Sequence, residues 1–384
     1  MSPVTPSSGT AARIRGGKLS GFWQRISEGR RIDDLWSQFT ADARASYGFY
    51  MTDAVAEDMV NRRGRPRFGR IVKALFWSLV MKLTPVRRVI LVIACILFFV
   101  PNVNFQGHNN VTFDFNFGVV SAFLFLLLLA LELADKVTMK RDLEIAREIQ
   151  TWLVPSKAPE VAGGDIAFAS RPQNSVAGDY YDAFYPTPSA EEKGKLMLVI
   201  ADVAGKSIPA ALLMATLQAS LRTIAGEGAS LENLVVRLNH YASAHSLDGR
   251  RFTTAVLAEY NPATRHLVYV NAGHNPPMLR RAGGETEKLE AGGLPLGIDV
   301  GATYDTAAVE LKPGDALILY TDGVIEAFND KGEEFGNGRW LQAIRALPDW
   351  GAQESLQFLM KPVDEFVGFT RQSDDITCLV FRCK

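Results

Sequence analysis

The chain has very little cysteine: three residues in 384, at Cys95, Cys378 and Cys383, with no C-x-x-C pair among them. That scarcity excludes a thiolate metal knuckle and a disulfide-stapled scaffold. A reducing, cytosolic environment is the expectation for the soluble part. Strong charge of either sign is also missing. The formal net charge is −1, so no global field recruits nucleic acid as a partner. Residues 1–20 have few bulky apolar groups and are rich in Ser, Thr, Pro and Gly; they read as disordered, and not as a secretory signal. No internal repeat is present. The run Gly292–Gly297 lacks the strand–turn–helix setting of a nucleotide fingerprint and reads as a loop.

The apolar residues that are present are unevenly spread. Ile32, Leu35, Trp36 and Phe39 recur at helical spacing, a stripe suited to a neighbouring element or to a membrane surface. Arg62, Arg63, Arg65, Arg67 and Arg70 then form a basic cluster. Such clusters beside apolar runs attract anionic headgroups by roughly 1 kcal/mol per charge. Residues 21–86 are therefore read as a cytoplasmic, helical and basic juxtamembrane region.

Two apolar runs follow, at about 89–105 and 117–134. A helix needs about twenty apolar residues to cross a bilayer core. The second run qualifies and the first is marginal. A pair of buried core helices has the same composition, but the flanking charge differs. Arg87 and Arg88 precede the first run, Lys136, Lys140 and Arg141 follow the second, and the loop 104–116 holds no Lys or Arg. That asymmetry predicts a transmembrane hairpin over 87–134, with both ends in the cytoplasm. Over 135–154 the sequence turns charged and helical. Met139, Leu143, Ala146 and Leu153 fall near heptad spacing, which suits a linker helix that acts as a lever or as a homodimer contact.

Beyond Pro155 the composition is that of a folded domain, 155–384. Strand-like runs at 196–200, 252–260, 266–270, 316–320 and 376–381 mix with helical patterns at 210–224, 231–243 and 353–367. Consecutive strands with short turns favour an α+β layout of antiparallel sheets with helices outside.

Four acids in this domain share a local pattern: each ends an apolar run or stands beside a glycine turn. They are Asp179, Asp202, Asp322 and Asp374. An aspartate at a strand end is ordinary turn chemistry. Were the four to converge, they would repel one another unless cations sat between them, and oxygen-only ligands select Mg²⁺ or Mn²⁺. Spacing alone does not bring them together.

Ordered motifs do. Ile149-Gln150 before Leu153-Val154-Pro155, Ala177-Gly178-Asp179-Tyr180-Tyr181-Asp182, Asp202-Val203-Ala204-Gly205-Lys206 and Pro209 to Met214 occur in series. Asn271-Ala272-Gly273-His274-Asn275-Pro276-Pro277, Tyr320-Thr321-Asp322-Gly323-Val324 and Asp374-Asp375-Ile376-Thr377 continue it. Over about 145–384 the chain resembles the SpoIIE-type phosphatases of the metal-dependent PPM superfamily, which are bacterial. The resemblance implies a β-sandwich of two antiparallel sheets flanked by helices, with two Mn²⁺ or Mg²⁺ ions at one edge. It implies hydrolysis of phosphoserine or phosphothreonine on a regulatory protein, the type case being a phosphorylated anti-sigma antagonist. With the hairpin, it implies signal transduction at the bacterial cytoplasmic membrane.

Carried over by motif, Asp179 and Asp202 contact the metal pair, with the Val203 carbonyl as a backbone ligand. Asp322 and Asp374 complete one metal's shell. Asp375 and Asp182 take supporting roles. Arg171 and Lys206 are candidates for holding phosphate by charge-assisted bonds, or are solvated surface charges. Eukaryotic members of the superfamily place a histidine acid where this chain has Ala204. Ser207 and Ala177 stand where glycine is common. His274 reads first as part of a tight connection, and second as an acid or ligand. A silent partner-binding domain and a small-molecule phosphoesterase are the competing readings; the four acids argue against the former, and the open helix after Pro209 against the latter.

Overall fold

A proline shortly beyond the last helical turn stops the first apolar run. In the computed structural model, α1 (Pro85–Phe99) opens with Pro85 in its first turn and ends at Val100, whose ψ of 126° is extended. Pro101 disfavours the α conformation in the residue before it. The run expected as one helix from about 89 to 105 is thus a 15-residue helix followed by a hairpin. Strands β1 (Val103–Gln106) and β2 (Thr112–Phe115) pair antiparallel, Val103 opposite Phe115. The structure describes residues 77, 80–101, 103–106, 112–186, 194–246 and 251–384. The expectations for 1–20, and for nearly all of 21–86 before Val80, lie outside the described residues.

Helix α2 (Phe117–Leu153) is continuous over 37 residues, about 55 Å at 1.5 Å per residue. The apolar run 117–134 and the charged segment 135–153 are one helix. Its apolar part is long enough to cross a membrane and is mostly unburied. At 15 residues α1 reaches only about 22 Å, short of a bilayer core of about 30 Å. Within the first unit, ending at Asp135, Ser121 Oγ donates to the Ala94 carbonyl at 2.7 Å. Arg87 bridges Glu132 and Asp135 at 2.8 and 2.6 Å.

The second unit, Lys136–Lys384, is two stacked sheets between helix pairs. One sheet contains β4 (Tyr180–Phe184), β5 (Leu196–Val203), β6 (Thr253–Asn261), β7 (His266–Ala272), β10 (Gly292–Gly293) and β11 (Ala307–Glu310). The other runs in the order β3 (Gly164–Arg171), β13 (Ile376–Cys383), β12 (Ala316–Tyr320), β8 (Met278–Arg280), β9 (Thr286–Lys288). The pairings are antiparallel apart from β10 on β7. The stretch expected as a loop at 292–297 thus contributes two residues of parallel strand.

The period-two alternation of a strand explains the layering. On β5, Leu196, Leu198 and Ile200 face the other sheet and meet Leu317, Leu379 and Phe381. Met197, Val199 and Ala201 face outward and are covered by α3 (Ile208–Gly226) and α4 (Leu231–Ala244). Both faces are buried, so β5 reads as a continuous apolar run. The outer face of β12 and β13 is covered likewise by α5 (Gly336–Arg345) and α6 (Ala352–Val367), with Trp340 fully enclosed. Helix α3 is long and apolar enough to cross a membrane, but its Ala210, Met214, Leu217 and Leu221 belong to the core under the first sheet.

Candidate functional site

Each of the four acids sits where its strand meets one edge of the sandwich. Asp179 immediately precedes β4, and Asp202 is the penultimate residue of β5. These strands pair antiparallel with Tyr180 opposite Ala201, so the start of one lies beside the end of the other. The second sheet repeats the arrangement. Asp322 follows β12 at the head of a short 3₁₀ turn (Asp322–Val324), and Asp374 precedes β13. Tyr320 stands opposite Cys378. Asp202 also continues the alternation of Leu198 and Ile200 into the cleft, where the two sheets part.

Two glycines let these turns approach. A Cβ on Gly178 would lie 3.2 Å from the Val203 carbonyl oxygen and 3.7 Å from Asp202 Oδ1. A Cβ on Gly323 would lie 1.9 Å from the Asp375 carbonyl oxygen, a forbidden contact. Any larger residue at Gly323 would force the Asp322 turn away from the Asp374–Asp375 turn.

The electrostatics agree with this convergence. Asp179 is buried, and burial, then the Asp202 charge, holds its carboxyl well above the usual carboxylate range. Asp202 is pushed up to about 7 by burial and then by Asp322, Asp374 and Asp375. Asp322 is raised by burial and by Asp374. The cation entering this shared field is Lys206, whose Nζ stands 3.0 Å from Asp374 Oδ2 and donates to the Ser373 carbonyl at 2.8 Å. Four carboxylates with one lysine are a hard-oxygen donor set in deficit of positive charge, which fits divalent cations such as Mg²⁺ or Mn²⁺. Among the described residues, no three His, Cys, Asp or Glu side chains close on a single coordinating point. Charge coupling reaches farther than a coordinate bond, so the acids are neighbours across an open cleft. A cavity of about 290 Å³ there is lined by Asp202, Ala204, Thr254, His274, Asn275 and Asp322.

The surrounding residues fix the acids in place. Thr321 Oγ1 donates to Asp179 Oδ2 at 2.9 Å and accepts from the Thr377 amide at 3.0 Å, tying the two sheets. Asp375 accepts the Gln173 amide at 2.6 Å on one oxygen and the Gly178 amide at 2.7 Å on the other. Its supporting part is thus to clamp the loop leading into Asp179. Asp182 is fully buried, two residues into β4, and is gripped by Arg222 of α3.

The remaining expectations divide. Lys206 lies at the acid cluster, as a counter-ion to Asp374. Arg171 stands at the end of β3, opposite Ile376, and its guanidinium is taken up by a two-bond ion pair with Asp364 of α6, Nη2 at 3.0 Å from Oδ2. His274 lines the cleft, but both ring nitrogens are engaged, Nδ1 with Thr254 Oγ1 at 2.8 Å and Nε2 with the Tyr320 carbonyl at 3.2 Å. That geometry fits the tight connection, with Gly273 at φ +67°. Ala204 leaves no imidazole on the Asp202 loop. Ser207 adopts φ 65° and ψ −147°, a conformation glycine takes freely. Sequence reasoning gave no role to Gln150, Thr321 or Arg222. The first two lie inside the quoted motifs, while Arg222 carried no signal beyond its place on a helix.

The family profile described as Stage II sporulation protein E (SpoIIE) matches residues 192–384. Protein IcfG of Synechocystis sp. is 29% identical over 281 residues, 66% of this chain and 43% of its own length. Phosphoserine phosphatase RsbU of Bacillus subtilis is 32% identical over 195 residues, 50% of this chain and 56% of its own length. The chain thus spans about half the length of these curated relatives. Among solved structures, the SiaA-PP2C domain of Pseudomonas aeruginosa superposes with a TM-score of 0.56 at 21% identity, covering 65% of this chain and 99% of that one. That likeness shows a PP2C-like α+β fold.

Proposed function

Since the chain belongs to the SpoIIE family, we propose that residues 155–384 form a metal-dependent protein serine/threonine phosphatase, tethered to the bacterial cytoplasmic membrane. The observation that carries the reading is the meeting of four aspartates, from positions as far apart as 179 and 374, at one edge of the sandwich. Burial and mutual repulsion raise the carboxyls of Asp179, Asp202 and Asp322. A set of acids this costly to ionise together is suited to holding cations.

Asp179, Asp202, Asp322 and Asp374, with the Val203 carbonyl, are the groups to hold two Mn²⁺ or Mg²⁺ ions. Bound ions of this kind bring the pKa of a water towards neutrality and clamp a phosphoryl group. The chain's own part is orientation. Asp375 fixes the backbone at Gln173 and Gly178, and Thr321 aims Asp179. With Ala204 on the Asp202 loop and His274 committed to Thr254 and Tyr320, the leaving serine oxygen takes its proton from solvent.

The substrate is a phosphoserine or phosphothreonine on a regulatory protein, such as an anti-sigma antagonist. Supporting this is the relative named Phosphoserine phosphatase RsbU. Lys206, beside Asp374, remains a candidate for holding phosphate. Arg171 is instead paired with Asp364 of α6. Anchoring rests on α2, whose outward side chains over 119–129 are apolar, and on the charge asymmetry of the flanks. The same asymmetry puts both termini in the cytoplasm. Ile145, Ile149 and Trp152 recur at i, i+4 and i+7 on α2 and are exposed, a face suited to a second copy of the chain. Rotation of that helix is then a route for the signal to reach the acids.

The deciding experiment is phosphate release from phosphoserine proteins by the full chain in detergent, with Mn²⁺ or Mg²⁺. Metal-dependent release that Asp322→Ala abolishes is the expected result. Full activity in excess chelator, or in Asp322→Ala, would overturn the proposal.

A further inference from the structure

The last turns of α2 reach the acid cluster through one carboxamide. Gln150 Nε2 donates to the Ala177 carbonyl at 2.9 Å, and the Ala177 amide donates back to Gln150 Oε1 at 3.0 Å. Both backbone groups of Ala177 are thus satisfied by a single side chain, as a neighbouring strand would satisfy them. Ala177 is buried, so neither group has water as an alternative partner. The next residue, Gly178, gives its amide to Asp375, and the one after is Asp179. The loop is held from the helix side by Gln150 and from the β13 side by Asp375.

The chemistry of this pair is narrow. It needs a donor and an acceptor in one plane, at the end of a two-methylene stem. Glutamate keeps the acceptor and loses the donor, asparagine is one carbon short, and methionine keeps only the bulk. The end of α2 has a separate apolar attachment: Val154 packs against the core formed by α3, α4 and β5. The helix end thus has an attachment besides Gln150, and the amide pair sets where Ala177 stands.

We propose that Gln150 is a positioning residue for the catalytic centre, fixing the Ala177 backbone and through it the place of Asp179. Helix α2 is thereby coupled to metal affinity. This rests on the reading of Asp179 as a metal-holding residue. Two hydrogen bonds hold Ala177, and part of their stabilisation passes on to the metal site. Losing the pair should weaken Mn²⁺ binding about tenfold.

The test uses the full chain in detergent, with Gln150→Met, Gln150→Glu and the control Thr151→Ala, whose hydroxyl bonds the Arg147 carbonyl one turn back. Three quantities are read: Mn²⁺ affinity by calorimetry, amide exchange of the metal-free protein at 177–179, and phosphatase kcat and KM. Gln150→Met should bind Mn²⁺ about tenfold more weakly and exchange faster at Ala177. It should lose kcat at limiting Mn²⁺, recover it at saturation, and keep its KM for phosphoprotein. Gln150→Glu keeps an acceptor for the Ala177 amide but sets a carboxylate oxygen against the Ala177 carbonyl, so it should bind Mn²⁺ more weakly and exchange faster than the parent by a smaller factor than Gln150→Met, and Thr151→Ala should match the parent. Mn²⁺ affinity and exchange within twofold of the parent in both Gln150 variants would overturn the proposal. So would faster exchange spread through β5 and β13, the mark of a merely structural role. Were Gln150→Met not to fold, exchange and Mn²⁺ affinity in Gln150→Glu alone would uphold or overturn it in the same way. A parent chain that binds Mn²⁺ and shows the exchange difference, yet releases no phosphate, would end the phosphatase reading while leaving Gln150 its positioning role.

Discussion

Arg222 closes on the fully buried carboxylate of Asp182 with two bonds, Nε to Oδ2 at 2.8 Å and Nη2 to Oδ1 at 2.9 Å. Tyr180 adds its hydroxyl at 2.5 Å and Ala183 its amide at 2.8 Å, so every lone pair facing the interior has a donor. The guanidinium also lies 3.9 Å over the Phe184 ring. Helix α3 is thus bolted to β4 immediately behind Asp179. Removing one partner of a buried pair costs about 3–5 kcal/mol; Arg222 is half-exposed, and the Tyr180 hydroxyl and Ala183 amide still serve the carboxylate in its absence, which reduces the loss. Arg222→Leu should therefore destabilise the domain by about 2 kcal/mol, read as a lower urea midpoint at unchanged slope.

Asp375 serves two amides with two oxygens, which separates it from the neighbouring Asp374. Asp375→Ala leaves the Gln173 and Gly178 amides without partners and should lower kcat about a hundredfold, at about 1–3 kcal/mol per orphaned buried donor. Asp375→Asn keeps one acceptor and should fall between the parent and the alanine variant. Equal rates for parent and Asp375→Ala would show that the clamp does not position Asp179. Steady-state kinetics at saturating Mn²⁺ read the difference.

Lys206 and an incoming cation compete for Asp374. The ion pair is at 3.0 Å with the lysine side chain half-exposed, so solvent screening limits it to about 1 kcal/mol. Lys206→Met should thus lower the Mn²⁺ concentration for half-maximal binding about threefold to fivefold. Calorimetry measures this directly. A rise in the phosphoprotein KM in the same variant is the separate signature of a phosphate contact.

How much of the fold and the site is legible in the sequence follows from the physics of each element. Strands β5, β6, β7, β12 and β13 and helices α3, α4 and α6 are legible because each carries a long apolar pattern of its own. Strands β8 to β11 have two to four residues each, and exist only because a neighbour supplies hydrogen bonds. Helix α5 begins Gly336-Asn337-Gly338, residues that favour turns, and is fixed by burial of Trp340. The end of α1 is written in Pro101, which a count of apolar residues passes over. At the site, the four acids are legible one by one as turn residues. Their meeting is not, because the registers of β4 on β5 and β12 on β13 set it. Resemblance supplies that step, but it offers no geometry, and so gives no hint that Arg171 pairs with Asp364 or that Gln150 pairs with Ala177.

Ser207 carries strain that glycine would relieve. At φ 65° and ψ −147° it lies in a region that costs a side chain about 1–3 kcal/mol. Its hydroxyl makes no capping bond to α3 in return. Glycine loses some of the gain to the greater freedom of the unfolded chain. Ser207→Gly should stabilise the domain by about 1 kcal/mol, a rise in Tm of about 2–4 °C for a domain of this size. Calorimetric melting checks it, and a fall in Tm would show that the hydroxyl does more than the structure gives it.

Buried His274 should make the domain sensitive to mild acid. Burial lowers its pKa to about 4, against an ordinary value of 6.5. The two ring contacts explain the neutral form: Nε2–H donates to the Tyr320 carbonyl while Nδ1 accepts from Thr254. Protonation at Nδ1 would set two donors against one another at Thr254 unless the hydroxyl turned away. The folded pKa lies below the unfolded one, so between the two the unfolded state binds more protons. The stability this residue contributes is complete above about pH 6.5 and is lost progressively towards about pH 4, by up to about 3 kcal/mol. The acids of the cleft shift in the opposite sense in metal-free protein, so the wild-type curve alone mixes the two. Comparing urea midpoints at about pH 7.5 and about pH 5 for the parent and for His274→Asn removes the common part. The parent should lose more stability than the variant over that interval, and parallel losses would show that His274 does not titrate between folded and unfolded states as its burial requires.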